Sequence, residues 1–115
     1  MDLSELKKNA AKATSLLKSL ANEDRLLLLC QLVSGEKAVS ELERLTGIRQ
    51  PTLSQQLGVL RNEGLVTTRR DGKWIFYSVA SREAMSLLST LQSLYSAENL
   101  RRHDAPERKE LVRTL

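Results

Sequence analysis

The feature that most constrains the fold is the stretch 40–79, which changes its hydrophobic period partway along. It reads SELERLTGIRQPTLSQQLGVLRNEGLVTTRRDGKWIFYSV. Leucines recur at helical spacing as far as residue 60, after which apolar and polar residues alternate as they do in strands. The stretch therefore predicts two short helices followed by a two-stranded hairpin.

The first of these helices is predicted to begin at Ser40, because Ser40 and Glu43 match the S-x-x-E capping box. Leu42 and Leu45 are predicted to face the core. Gly47 is predicted to end the helix, since glycine adopts the left-handed conformation that stops and turns a chain.

The next helix is predicted to begin at Pro51, because the first helical turn tolerates proline. Leu53, Leu57 and Leu60 form its expected buried stripe, and Gly64 ends it. The two strands are predicted at 65–70 and 74–79, joined by an Asp71-Gly72 turn.

The remaining segments predict three more helices. The first covers residues 2–20, the second follows an Asn22 N-cap, and the last follows a Ser81 cap. The expected fold is mainly α with a small β-hairpin, a winged helix-turn-helix in which the hairpin lies between the fourth and fifth helices. Residues 1–99 form the expected domain, and residues 100–115 a charged C-terminal tail.

Polar and basic side chains cluster where a DNA-reading helix needs them. Hydroxyls and amides at the start of the fourth helix can hydrogen-bond base edges, and cations beside it can contact phosphates. The candidate DNA-binding residues are Arg49, Gln50, Thr52, Ser54, Gln55, Gln56, Arg69, Arg70 and Lys73. Trp74, in the hairpin, is expected to anchor it to the body rather than to stack on DNA.

Charge and composition favour double-stranded DNA as the partner. The chain has a net charge of +4, and residues 49–73 hold five cations against two acids. The alternative is a winged-helix protein-interaction module without DNA specificity, and the basic segment argues against it. No catalytic pair, phosphate loop or metal cluster is evident, so an enzyme is not expected and no cofactor is predicted. No membrane-spanning run or secretory leader is evident, which predicts a cytoplasmic protein.

Residues 16–32 (LLKSLANEDRLLLLCQL) and 40–79 together resemble the ArsR/SmtB family of small dimeric bacterial repressors. Within that family, QPTLSQQLGVLR and the context of Cys30 are most similar to the BigR and HlyU type, which includes thiol- and persulfide-responsive regulators. The resemblance implies a homodimer joined through the first and fifth helices that reads an inverted repeat. The expected interface residues are Leu16, Leu17, Leu20, Leu87, Leu91, Leu94 and Tyr95.

The sequence departs from the sensory members of that family in two ways. Metal-sensing members carry a cysteine pair where this chain has residues 39–42 (VSEL), or Asp and His ligands on the fifth helix, which here has no histidine. His103 alone does not make a metal site. Thiol-sensing members use two cysteines; Cys30 matches the first, and Ser96 stands near the place of the second.

The role of Cys30 is left open by the sequence. Its leucine-rich surroundings favour a buried, inert thiol. The resemblance favours a sensor that is oxidised or persulfidated. Since Cys30 is the only cysteine of the chain, an intrachain disulfide switch is excluded.

Overall fold

The computed structural model describes residues 2–96. Met1 and residues 97–115 lie outside the described part, and with them His103 and the predicted tail. The helices are α1 (Leu3–Leu20), α2 (Glu23–Leu32), α3 (Val39–Thr46), α4 (Thr52–Asn62) and α5 (Arg82–Leu94). The strands are β1 (Lys37–Ala38), β2 (Val66–Asp71) and β3 (Trp74–Val79), and they form one antiparallel sheet in the order β1-β3-β2.

Local signals placed two of the helix starts correctly. The Asn22 side chain accepts a hydrogen bond from the Arg25 N–H at 3.0 Å, and the Ser81 hydroxyl accepts one from the Ala84 N–H at 3.1 Å. Both predicted N-caps are confirmed. Gly47 is also confirmed as the end of α3, with φ +74°.

The predicted capping box at Ser40 is wrong. Helix α3 begins one residue earlier at Val39, with Ala38 as its N-cap, and the Glu41 carboxylate accepts from the Ala38 N–H at 3.0 Å. The cause is a third strand that the sequence did not predict. Ala38 pairs with Phe76 of β3, so its backbone is extended and the helix starts directly after it.

The core is built almost entirely from leucine. Leu53, Leu57 and Leu60 of α4 are fully buried, which confirms the predicted stripe. Leu42 of α3 is also buried, but Leu45 is 42% exposed, so its predicted inward orientation is wrong. Helix α3 has eight residues and packs through the Leu42 face, and Leu45 lies outside that face.

The hairpin of β2 and β3, here called the wing, has a two-residue loop one position later than predicted. Asp71 pairs with Trp74, so Gly72 and Lys73 form the loop. Gly72 has φ +62°, a conformation that suits glycine at the first position of a tight hairpin. Trp74 is 51% exposed and is not part of the core, so its predicted anchoring role is wrong. Among residues 2–96, no helix is both long and apolar enough to cross a bilayer.

Candidate nucleic-acid interface

Helix α4 presents its first turns to solvent on a fixed support. Its leucine stripe is buried against the other helices, whereas Ser54 and Gln55 are exposed and Thr52 is half-buried. Since these three side chains lie on the first two turns, they are placed where a helix inserted into the major groove contacts base edges. We call α4 the recognition helix.

Gln50 lies beside this helix in a role that the sequence did not predict. Its Oε1 atom accepts a hydrogen bond from the Ser54 N–H at 3.1 Å. The N-cap residue is Pro51, whose side chain makes no capping hydrogen bond. Gln50 therefore satisfies a backbone donor of the first turn, a group that would otherwise need water or a phosphate oxygen.

Gln56 is held from inside the protein. Its Oε1 atom accepts a hydrogen bond from Nη1 of Arg25 at 3.1 Å, and both residues are half-buried. The same guanidinium donates through Nε to the Ser19 carbonyl at 2.6 Å and through Nη2 to the Lys18 carbonyl at 3.2 Å. Arg25 thus joins the C-terminal end of α1 to the recognition helix. The sequence predicted Gln56 as a contact but did not single out Arg25.

A polar cleft lies at the turn between α3 and α4. It has a volume of about 400 Å³ and is lined by Ser40, Glu43, Arg44, Gly47 and Arg49. Arg49, a predicted phosphate contact, is exposed, and so is Arg44, which was not among the predicted contacts. The missed signal was a cation in the last turn of α3, five residues before Arg49.

The three predicted cations of the wing differ in whether they form an ion pair within the protein. Arg70 and Lys73 are exposed and form no ion pair within residues 2–96. Arg69, in contrast, makes a two-point ion pair with Glu36, with Nε 3.2 Å from the Glu36 Oε2 atom. Its guanidinium also lies 4.7 Å from the ring centre of Phe76.

This ion pair changes the ionisation of both partners. The hydrogen bond from Arg69 lowers the pKa of the Glu36 carboxyl, and the same bond raises the pKa of Arg69. Glu36 precedes β1, so the pair joins the segment after α2 to the outer strand of the wing. The wing is held to the body mainly by the pairing of β3 with β1 and by Val66, which is buried in the core. The exposed Arg69–Glu36 pair adds a surface contact at the outer strand.

Cys30 lies where α2 meets α5. It is half-buried, and the Gln92 amide donates to its backbone carbonyl at 3.1 Å. Burial raises the pKa of the Cys30 thiol, while a side-chain hydrogen bond with Gln92 partly offsets this effect. The Ser96 hydroxyl donates to the Ser93 carbonyl at 3.2 Å. Residues 2–96 contain no group of three or more His, Cys, Asp or Glu side chains able to hold a metal ion.

The faces predicted for dimer contact are largely uncovered in the protomer. Leu17 is 55% exposed, Leu94 50% and Tyr95 67%, while Leu16, Leu87 and Leu91 are half-buried. Leu20 differs from these, because it is 6% exposed and belongs to the protomer core. It therefore leaves little surface for a partner.

Comparison with known proteins gives consistent similarities. A family model described as "Bacterial regulatory protein, arsR family" matches residues 22–68. The biofilm growth-associated repressor of Agrobacterium fabrum is 50% identical over 100 residues, covering 85% of this chain and 86% of the relative. The transcriptional activator HlyU of Vibrio cholerae is 43% identical over 99 residues, covering 86% and 92%. The crystal structure of the transcriptional repressor BigR from Xylella fastidiosa superposes with a TM-score of 0.77 at 47% identity, covering 84% of this chain and 99% of that one.

Proposed function

Since this chain belongs to the arsR family of bacterial regulatory proteins, we propose that two copies of it read the two halves of an inverted-repeat DNA site at a promoter. Membership of a family of DNA-binding transcription regulators excludes the enzyme class. The observation that carries the proposal is the recognition helix: three buried leucines hold it in place, and Ser54 and Gln55 are exposed on its first turns.

Each group of residues has a separate task in this proposal. Thr52, Ser54 and Gln55 contact base edges, and Gln50 and Gln56 line the same end of the helix. The cations Arg49, Arg70 and Lys73 contact phosphates and supply salt-dependent affinity. Arg69 approaches DNA only as an ion-paired group.

The proposed dimer joins through α1 and α5, because both helices carry several apolar side chains that the protomer leaves exposed or only half-buried. The residues assigned to it are Leu16, Leu17, Leu87, Leu91, Leu94 and Tyr95. Such a dimer would place two recognition helices in successive major grooves, about 34 Å apart. Bound at a promoter in the cytoplasm, it would act by excluding polymerase or by displacing a silencing protein.

The proposal is tested by selecting duplexes from a library with a randomised centre, using the full chain. We expect enrichment of an inverted repeat whose half-sites are one helical turn apart, and affinity for it that falls steeply with salt. A random duplex of equal length is the control. The proposal would be refuted if no sequence is enriched, or if affinity for the enriched duplex does not change with salt concentration.

For regulation by thiol chemistry, we propose Cys30 as the modified residue. Its place between α2 and α5 supports this, since modification there would shift α5 and so the dimer angle. The raised pKa of the Cys30 thiol argues against a sensing role, because less thiolate is present at neutral pH. Affinity for the selected duplex, measured before and after peroxide or persulfide treatment in wild type and Cys30→Ser, decides the matter. Equal responses in the two proteins would remove Cys30 as the sensor.

A further inference from the structure

Arg25 connects the recognition helix to the C-terminal end of α1, which lies outside the predicted DNA contacts. Its guanidinium meets three acceptors: the carbonyls of Lys18 and Ser19 at the end of α1, and Oε1 of Gln56 on α4. The carbonyls at the C-terminal end of α1 carry partial negative charge, which favours a cation there. Arg25 is therefore held firmly by α1 while it contacts the recognition helix.

This contact determines which way the Gln56 amide is turned. A guanidinium has donors only, so the group it meets on Gln56 must be the oxygen. The Nε2 amine of Gln56 is then the part of the amide left to bind another molecule, and it has no hydrogen-bond partner among residues 2–96. A freely rotating glutamine can donate and accept together, as it does when it pairs with both edge atoms of adenine. With its oxygen turned toward Arg25, Gln56 presents the amine, and therefore a donor, away from that contact.

We propose that Arg25 is a positioning residue for DNA recognition, which ties Gln56 to the end of α1 and presents its amide as a donor to a DNA acceptor atom. The acceptor is a base atom such as guanine O6 or N7. Pairing with the adenine edge, which needs the amide oxygen and amine side by side, is disfavoured because the oxygen is turned toward Arg25. This inference rests on the proposed DNA-binding function. It adds that the orientation of a side chain on the reading helix is set by the helix assigned to dimer contact.

A double-mutant cycle tests the proposal on the duplex selected by the wild-type protein. Arg25→Ala and Gln56→Ala are each expected to lower affinity for that duplex by about tenfold, as for the loss of one good contact. Because Arg25 acts through Gln56, the double variant is expected to lose about tenfold as well, and not a hundredfold. Affinity for random duplex of the same length should change much less.

Two further variants separate positioning from general structural support. Gln56→Glu keeps an oxygen for Arg25 but removes the amine, so it should bind the selected duplex no better than Gln56→Ala. Lys18→Ala removes a nearby exposed cation and leaves the carbonyl that Arg25 contacts, so it controls for charge. Should Arg25→Ala fail to fold in a thermal melt, Arg25→Lys in both Gln56 backgrounds completes the cycle, because it keeps the charge but not the three-point contact.

The outcomes distinguish this proposal from the function on which it rests. If wild type selects no sequence, the proposed function fails and the positioning role fails with it. If wild type selects a duplex but the two losses multiply to about a hundredfold, only the positioning role is overturned. An equal loss of affinity for selected and random duplex in the Arg25 variants would overturn it as well.

Discussion

The recognition helix and the wing both face the proposed DNA surface, but they are held in place by different forces. Helix α4 is fixed by buried leucines, and at its polar side Gln50 accepts a hydrogen bond from the helix backbone while Arg25 donates one to Gln56. The base of the wing is also held by burial of Val66 and by the β1–β3 pairing, but its tip and outer strand are exposed, and the Glu36–Arg69 ion pair joins that outer strand to the body. Salt does not screen the stabilisation that comes from apolar burial, whereas it does screen an exposed ion pair. The difference implies that salt affects the position of the recognition helix less than that of the outer strand of the wing.

The sharpest test of this contrast removes a buried leucine of the recognition helix. Leu57→Ala is expected to lower the free energy of unfolding by ~2–5 kcal/mol, because a buried leucine truncated to alanine loses its transfer energy and leaves a cavity. Urea denaturation measures the change. Val59→Ala on the same helix is the matched control, since Val59 is 37% exposed and should cost far less. Equal losses would contradict the view that packing fixes α4.

The exposed end of the same helix should behave oppositely, affecting binding and not folding. Gln55→Ala is expected to weaken binding to the selected duplex by ~1–3 kcal/mol through loss of a base contact. Its thermal midpoint should stay near that of wild type, because the Gln55 side chain is exposed and has no hydrogen-bond partner within residues 2–96. An unchanged ratio of specific to random-DNA affinity would count against a reading role.

On the wing, removal of one charge should increase binding. Glu36→Gln frees the Arg69 guanidinium, so affinity for random duplex should rise and its salt dependence should steepen by up to ~0.9 in log–log slope, the value for one additional phosphate contact. Fluorescence anisotropy over a salt series measures both quantities. Glu63→Gln is the charge-matched control, because Glu63 is exposed and forms no ion pair in the described part of the chain. A similar change in both variants would show that net charge, and not the freed Arg69, is responsible.

The smallest expected effect is that the stability of the wing depends on pH. Because the pKa of Glu36 is lowered in the folded protein, its contribution to stability is complete above the pKa of an unfolded glutamate. That contribution is lost as the pH falls through the lower, folded value. Amide exchange of the wing should therefore accelerate with acidification relative to Glu36→Gln, once the intrinsic pH dependence is removed. Parallel profiles for the two proteins would exclude a contribution of the ion pair to the stability of the wing.

The sequence predicted those parts of the fold that depend on near neighbours. Asn22 and Ser81 each cap a helix by accepting a hydrogen bond from the backbone N–H three residues later. The leucine stripe of α4 depends only on helical spacing. The missed features are long-range. Arg69 contacts a residue 33 positions away, and Arg25 one 31 positions away. Strand β1 has two residues, too few to show a hydrophobic period. Because β1 ends at Ala38, helix α3 begins one residue earlier than predicted.

The same distinction applies to the candidate site. Residue type and position identified the helix start and the basic hairpin as candidate DNA contacts. They did not show that Gln50 caps the helix, that Arg25 holds Gln56, or that Glu36 neutralises Arg69. Each of these depends on which side chains the fold brings together, and no local pattern encodes that.

The strand order gives the cations of the wing a second consequence, for solubility. Because β3 lies in the centre of the sheet, β2 is an edge strand, and its unpaired backbone groups are a template on which a strand of another molecule could add. Three of its six residues are charged: Arg69, Arg70 and Asp71. Charged side chains on an edge strand oppose such additions. Replacement of Arg69 and Arg70 by apolar residues would therefore create an aggregation-prone edge. Arg70, proposed to contact phosphate, and the ion-paired Arg69 thus also help to keep the free protein from self-assembling through its sheet.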